Sequence, residues 1–357
     1  MPLKPAGSPD IKAAQAAAVA DVDPVAIRMP ESLLRQAERA CAQFTALPCL
    51  LPSLAGARQL PTPDDMRILI TGAAGRVGRA TYIRLATDHE LVGLDRIPSS
   101  TTDIVASIDD VDQLRQALRG VDVLIHIAAA HAPQVGYLDE RTFEAVNVAA
   151  TAALARFAVD AGVGSFVFTS TTALYGFAST AGDRAAWIDE DTRPLPRTIY
   201  HRTKLAAESL LERISLESGL PVTVIRMSRC FPEPAPIMAV HRLHRGVDLR
   251  DVADAHAIAA ERRLPGFRRY LISGNSPFQP EDTPHLLENA AAVIDLRCPE
   301  LAAAFRQRQW ALPRVIDRVY SPLRAMQELG WRPQYGFNEV LAQLDRRSLE
   351  VLPPHRC

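Results

Sequence analysis

The sequence predicts an α/β doubly wound parallel sheet with a small C-terminal lobe and an N-terminal extension. Three observations carry that prediction. From Met66 onward, short apolar runs alternate with helical segments. Residues 66–95, MRILITGAAGRVGRATYIRLATDHELVGLD, place Gly72, Gly75 and Gly78 between an apolar run and a helix-like stretch. A second apolar run then ends on an acid, Asp95. Strand, glycine turn, helix, strand, acid is the layout of a βαβ dinucleotide site. The first glycine permits the tight turn, the second lets backbone approach a pyrophosphate, and the third lets helix and strand pack closely. Amide groups at the helix start face the phosphates, and the carboxylate can accept hydrogen bonds from a ribose diol.

The elements follow in order. Residues 1–64 are Ala- and Pro-rich, with helix-compatible stretches at 11–20 and 31–46, and prolines at 48, 52, 61 and 63 make the join linker-like. They read as an extension, helical or partly disordered, with no signal-peptide pattern. A dinucleotide-binding domain is expected over 65–232, and a substrate lobe with return elements of the sheet over 233–357. After Asp95 the sequence predicts a strand at 103–107, a helix at 110–119 and a strand at 121–130. A helix at 140–161, a strand at 164–171, a helix from Tyr200 to about 218 and a strand at 221–228 follow. SPLRAMQELGWRPQYGFNEVLAQL (321–344) reads as two helices around a Pro-containing turn.

Composition excludes several classes. Among 357 residues the formal net charge is −1, so no basic excess argues for nucleic acid. Apolar residues make up 48 % with no uninterrupted run of a membrane span's length, so no membrane partner is expected. Five cysteines at 41, 49, 230, 298 and 357 lack disulfide or zinc spacing, which points to a reducing, cytoplasmic setting and no metal site. His241 and His244 in HRLHR lack a third ligand and read as a solvated helix face. His126, in an apolar strand, reads as structural.

The chemistry centres on IYHRTK. Tyr200 and Lys204, four apart on a helix, share one face. An ammonium near a phenol favours the phenolate and lowers its pKa, which suits acid/base work on a secondary hydroxyl. The preceding strand ends in hydroxyls, Thr169-Ser170-Thr171-Thr172, at the sheet edge where ligands bind. Arg242 and Arg245 could pair an anionic substrate group, carboxylate or phosphate.

Taken together, TGAAGRVG, Asp95, HIAA (126–129), FTSTTALYG (168–176), YHRTK, VDLRDVADAHAIA (247–259) and LGWRP (329–333) resemble an extended short-chain dehydrogenase/reductase of the NAD-dependent epimerase/dehydratase family. The resemblance covers about Met66 to Leu344 and implies a Rossmann-like fold. By it, Gly72, Gly75 and Gly78 cradle the pyrophosphate with backbone contacts from Arg76 and Val77, and Asp95 holds the adenosine ribose. Ala128 and Ala129 line the nicotinamide side, and Asn147 lies behind the active site. Tyr200 and Lys204 form the catalytic pair, Thr171 takes the place of the family's Ser/Thr, and Lys204 also binds the nicotinamide ribose. Arg96, Ile108, Thr169 and Cys230 complete the expected cofactor set, and Thr171, Thr172, Arg242 and Arg245 the substrate set.

Departures from the family narrow the substrate. Ser107 stands where many members carry an adenine-binding aspartate. Arg229 replaces the usual Asn after the sixth strand. The segment from Cys230 to Pro234 is similar to that of uronate dehydrogenases. Thr172-Ala173 carries neither their Asn-His nor the dehydratases' Asp-Glu. A carboxylate at Asp95 repels the extra phosphate of NADP, so NAD is the expected cofactor, with NADP left open by Arg76 and Arg96. The expected function is an NAD(P)-dependent oxidoreductase or epimerase acting at a secondary hydroxyl or ketone of a sugar, uronic acid or sugar nucleotide, as a homodimer. The alternative is a non-catalytic NAD(P)-binding regulatory or interaction protein.

Overall fold

The computed structural model describes residues 65–354, so the extension expected over 1–64 lies outside the described residues. In chain order the strands are β1 (Arg67–Thr71), β2 (Glu90–Asp95), β3 (Ile104–Val105), β4 (Val123–His126), β5 (Ser165–Thr171), β6 (Ala186–Ile188), β7 (Val222–Met227), β8 (Phe267–Ile272) and β9 (Arg318–Tyr320). The α-helices are α1 (Arg76–Leu85), α2 (Val111–Ala117), α3 (Glu140–Glu144), α4 (Ala150–Asp160), α5 (Ile199–Ser218), α6 (Ala235–His244), α7 (Leu249–Arg262), α8 (Thr283–Arg297), α9 (Pro299–Gln307) and α10 (Phe337–Asp345).

Seven strands form one sheet in the order β3-β2-β1-β4-β5-β7-β8, and every pairing is parallel. A parallel sheet needs crossover helices and is buried on both faces, which is why its strands are nearly continuous apolar runs. Ile68, Leu69, Ile70, Val123, Leu124 and Ile125 are all buried without exposure. One core lies under α2, α4 and α5 on one face, and a second lies under α1 and α7 on the other.

A third core, with Met238, Phe278, Leu286 and Phe305, fills the lobe. There β6 pairs with β9 in a second, two-stranded sheet. The division expected at residue 232 is crossed by β6, which joins the lobe, while β8 is a return element of the main sheet.

Several boundaries differ from the expected ones. The strand read over 121–130 stops at His126, because the Ala130 backbone turns to a side chain instead of a ladder: its N–H donates to Asn147 Oδ1 (2.8 Å) and its C=O accepts from Asn147 Nδ2 (3.0 Å). The strand expected at 103–107 shrinks to two edge residues. The helix expected over 140–161 contains a π-helical turn, Ala145–Ala149, which carries Asn147 inward. Residues Glu140–Asp160 are long and apolar enough to cross a membrane by length and composition, yet here they pack on α5 and α2. Of the two helices expected in 321–344, the first is the π-helical turn Ala325–Leu329 and the second is α10.

Candidate functional site

The glycine loop between β1 and α1 is shaped by contacts that only hydrogen permits. Gly72 has φ +76°, and an added Cβ would lie 2.6 Å from the Ala128 amide nitrogen. At Gly78 it would lie 2.0 Å from the Gly72 carbonyl oxygen. Gly75 caps α1 in extended conformation, φ −71°, and its added Cβ would meet only that same oxygen, at 3.2 Å. The loop is thus closed toward the sheet and open outward, where the first amides of α1 lack intrahelical partners. That cradle fits a dinucleotide pyrophosphate. The Asp95 carboxylate accepts from Ala74 N–H (3.1 Å) and Ile97 N–H (3.0 Å), which aims it across the loop mouth.

Around this loop the expected residues take different places. Val77 packs partly on the core, Ala128 borders Gly72, and Ala129 lies half-buried beside it. Ile108 is half-buried against the α2 face, and Arg96 is exposed at the start of the loop after β2. The Arg76 guanidinium turns to the C-terminal segment, pairing with Glu350 at 2.7 Å and donating to the Cys230 carbonyl at 3.3 Å. Thr169, expected in the cofactor set, ends its side chain inside the protein. Its hydroxyl is buried and bonds His256 Nε2 at 2.7 Å, tying β5 to α7.

At the carboxyl end of the sheet, Thr171 ends β5 and Tyr200 opens α5. The Thr171 hydroxyl accepts from the Ala173 N–H at 3.1 Å and faces the Tyr200 phenol. Thr172, next along, is buried. Burial pushes the Tyr200 phenol up to about 12, against the Thr171 hydrogen bond that pulls it down, while nearby Cys230 pushes it further up. Burial also raises the Cys230 thiol, to about 11.

Lys204 is buried on the same face, and burial lowers its ammonium to about 7 while Glu208 opposes the fall. Its Nζ lies 4.1 Å from the centroid of the Phe168 ring, a cation–π contact. In this geometry the ammonium rests on Phe168, and burial is the largest influence on the phenol. Asn147 reaches the site from behind, donating to Thr203 Oγ1 at 3.1 Å while holding Ala130. His126 is held between Thr71 Oγ1 (2.6 Å) and Thr151 Oγ1 (2.9 Å), and burial lowers it to about 3.

The lobe side brings two corrections. His241 and His244 are buried, not solvated, because α6 packs against α10 and β9. Arg242 is buried too. Its guanidinium donates to the Val247 carbonyl and to Asp248 Oδ2 (3.1 Å), so it staples α6 to α7 and has no face toward a substrate. Arg245 differs. It borders a cavity of about 340 Å³ lined by His241, His244, Asp317, Ile237 and Val315. Its Nε is buried without a hydrogen-bond partner, and it has no carboxylate at ion-pair distance among the described residues. One terminal nitrogen donates to His241 Nε2 (2.8 Å), whose Nδ1–H donates to Glu233 (2.9 Å).

Sequence reading missed Glu208, Glu350 and the Phe168 ring. A signal for the site was present in the lysine count. The chain has three lysines, Lys4, Lys12 and Lys204, so all other cationic side chains of the described region are arginine. Lysine is retained where a compact ammonium whose pKa responds to burial is placed at the site.

Comparison with known proteins shows what the chain is similar to. Residues 68–236 match the profile of the NAD dependent epimerase/dehydratase family. An uncharacterized UDP-glucose epimerase YtcB of Bacillus subtilis is 28% identical over 200 residues, 50% of this chain and 61% of that protein. L-arabinose 1-dehydrogenase (NAD(P)(+)) of Haloferax volcanii is 29% identical over 170 residues, 45% of this chain and 66% of that protein. The matched part is thus under two thirds of each of these two relatives. Among solved structures, a short-chain dehydrogenase/reductase superfamily protein from Agrobacterium tumefaciens with bound NAD shares the fold. Its TM-score is 0.58 at 23% identity, covering 79% of this chain and 97% of that one.

Proposed function

We propose that the chain, whose residues 68–236 match the model of the NAD dependent epimerase/dehydratase family, is an NAD-linked oxidoreductase or epimerase acting at a secondary hydroxyl or ketone of a sugar or sugar nucleotide. The observation that carries this reading is the Thr171 hydroxyl facing the Tyr200 phenol at the carboxyl end of β5, with Lys204 buried one turn further along α5. NAD, when bound, supplies the hydride acceptor or donor. The Gly72–Gly78 loop, the amides of Arg76 and Val77, and Asp95 would hold it, with Ala128, Ala129 and Lys204 toward the nicotinamide end. Asp95 favours NAD over NADP, and the engagement of Arg76 by Glu350 removes one of the two arginines that would otherwise favour NADP.

In this reading Tyr200 exchanges the substrate proton. With its pKa raised to about 12 the phenol is protonated near neutral pH, so it is ready to donate to a ketone oxygen. Thr171 orients that oxygen. In the reverse direction the Lys204 cation, once drawn from Phe168 toward the phenol, favours the phenolate. We further propose a cytoplasmic homodimer, a reading checked by sedimentation of the purified chain.

Tyr200→Phe tests the assignment. Reduction or formation of NADH should fall about 10²–10⁴-fold while NAD affinity is kept. NAD binding with no turnover by the wild-type chain on any sugar or sugar nucleotide would favour the non-catalytic alternative instead.

A further inference from the structure

The face of α5 that carries Tyr200 and Lys204 continues, at the same four-residue spacing, to Glu208, and all three side chains are buried. A buried carboxylate is costly unless it is paired and hydrogen-bonded. Glu208 meets that condition. Ser170 Oγ donates to Oε1 at 2.5 Å, and Arg226 Nε reaches both carboxylate oxygens at 3.1 Å. The same guanidinium reaches Oε2 through a terminal nitrogen at 2.6 Å, and Arg269 lies 3.6 Å from Oε2. Arg226 also donates to the Tyr175 hydroxyl at 3.1 Å, and Tyr175 donates to the Asp189 carbonyl at 2.7 Å. One carboxylate thus joins α5 to β5, β7 and β8 directly behind the candidate catalytic residues. Ser170, the residue it grips on β5, immediately precedes Thr171.

The surroundings of Lys204 leave Glu208 as the anion that acts on it. From β4 comes His126, and from the loop beyond comes His131; both are held below their ordinary pKa, by burial first and then by Lys204 itself. From β5 comes the uncharged Phe168 ring. Burial lowers the ammonium, and Glu208, one turn further along α5, raises it.

We propose that Glu208 is a positioning residue for the Tyr200–Lys204 pair: locked by Arg226 and Ser170, its carboxylate keeps Lys204 charged and fixes the end of β5 that presents Thr171. The proposal rests on the oxidoreductase reading above for its catalytic meaning, but its test does not need turnover.

The full chain is labelled on lysine. Its three lysine signals are followed by NMR against pH, with Lys204 assigned from Lys204→Arg. In Glu208→Gln the Lys204 titration should move down by about one pH unit, the low end of what one nearby opposite charge supplies, since Glu208 acts from one helical turn away. If a lone Arg226 charge unfolds that variant, Glu208→Gln is read in an Arg226→Met background, where Lys204 should titrate lower than in Arg226→Met alone. Glu208→Asp, which keeps the charge, should restore the titration toward wild type. An unchanged Lys204 titration in either folded variant overturns the proposal, whether or not the enzyme turns over. Where wild type is active, the alkaline limb of kcat should move down with Lys204. An active Glu208→Gln variant with the wild-type pH profile overturns the catalytic part of the proposal and leaves the oxidoreductase reading intact.

Discussion

Gly78→Ala tests how the dinucleotide cradle is built. The new Cβ would lie 2.0 Å from the Gly72 carbonyl oxygen, 2.8 Å from its carbon and 2.9 Å from the Ala73 Cα. All three are backbone atoms of the glycine turn, so no side chain can swing aside. Normal contact needs about 3.5 Å, so α1 must move off β1 by roughly 1.5 Å. Overpacking of this kind costs about 1–3 kcal/mol. At about 2–4 °C per kcal/mol for a large domain, the melting temperature should fall by about 2–12 °C. The displaced amides should also bind NAD more weakly. Gly75→Ala is the control. Its φ of −71° suits alanine and its single contact, 3.2 Å from a backbone oxygen, asks for a shift of only a few tenths of an ångström, so the melting temperature should fall far less than in Gly78→Ala. Differential scanning calorimetry and NAD titration calorimetry read both effects. A Gly78→Ala protein that melts and binds NAD as wild type does would refute this account of the cradle.

Two further predictions concern buried charge. His126, His244 and His256 are held at about 3, 3 and 4, chiefly by burial, so the folded state keeps them neutral while the unfolded chain protonates near 6.5. Between pH 6.5 and 4 the unfolded state binds more protons, so stability is present above pH 6.5 and is lost on acidification. The slope near pH 5 should approach about 1.4 kcal/mol per pH unit for each histidine. Denaturant titrations giving a flat stability across that range would contradict it. Arg242→Met should destabilise the chain by about 1–3 kcal/mol, since Asp248 loses one buried donor but keeps Arg250 at 2.9 Å. The KM for any substrate should be unchanged. A KM effect without a stability effect would return Arg242 to the substrate side.

How much was legible beforehand follows from the range of the forces involved. The βαβ start, the parallel sheet and the pairing of Tyr200 with Lys204 rest on local patterns, namely glycine spacing, apolar runs and helical periodicity. Those patterns are written in consecutive residues, and six of the seven strands of the main sheet lie on stretches read as strand or apolar run, while β8 was expected only as a return element without a position. The lobe was less legible. Its two-stranded sheet pairs Ala186 with Arg318, and no local pattern signals a partner that far along the chain.

The charged residues were the least legible, because a side chain's role depends on what folds against it. HRLHR has the look of a solvated face, yet packing by α10 and β9 buries both histidines and Arg242 and leaves Arg245 on a cavity. Glu208 looks like an ordinary surface acid until β5 and β7 bring Ser170 and Arg226 to it. By itself, then, the sequence determined the sheet, the cradle and which residue types meet at the end of β5. Only the tertiary structure decided the charge environment of Tyr200 and Lys204, because desolvation and pairing are set by neighbours that lie tens of residues away.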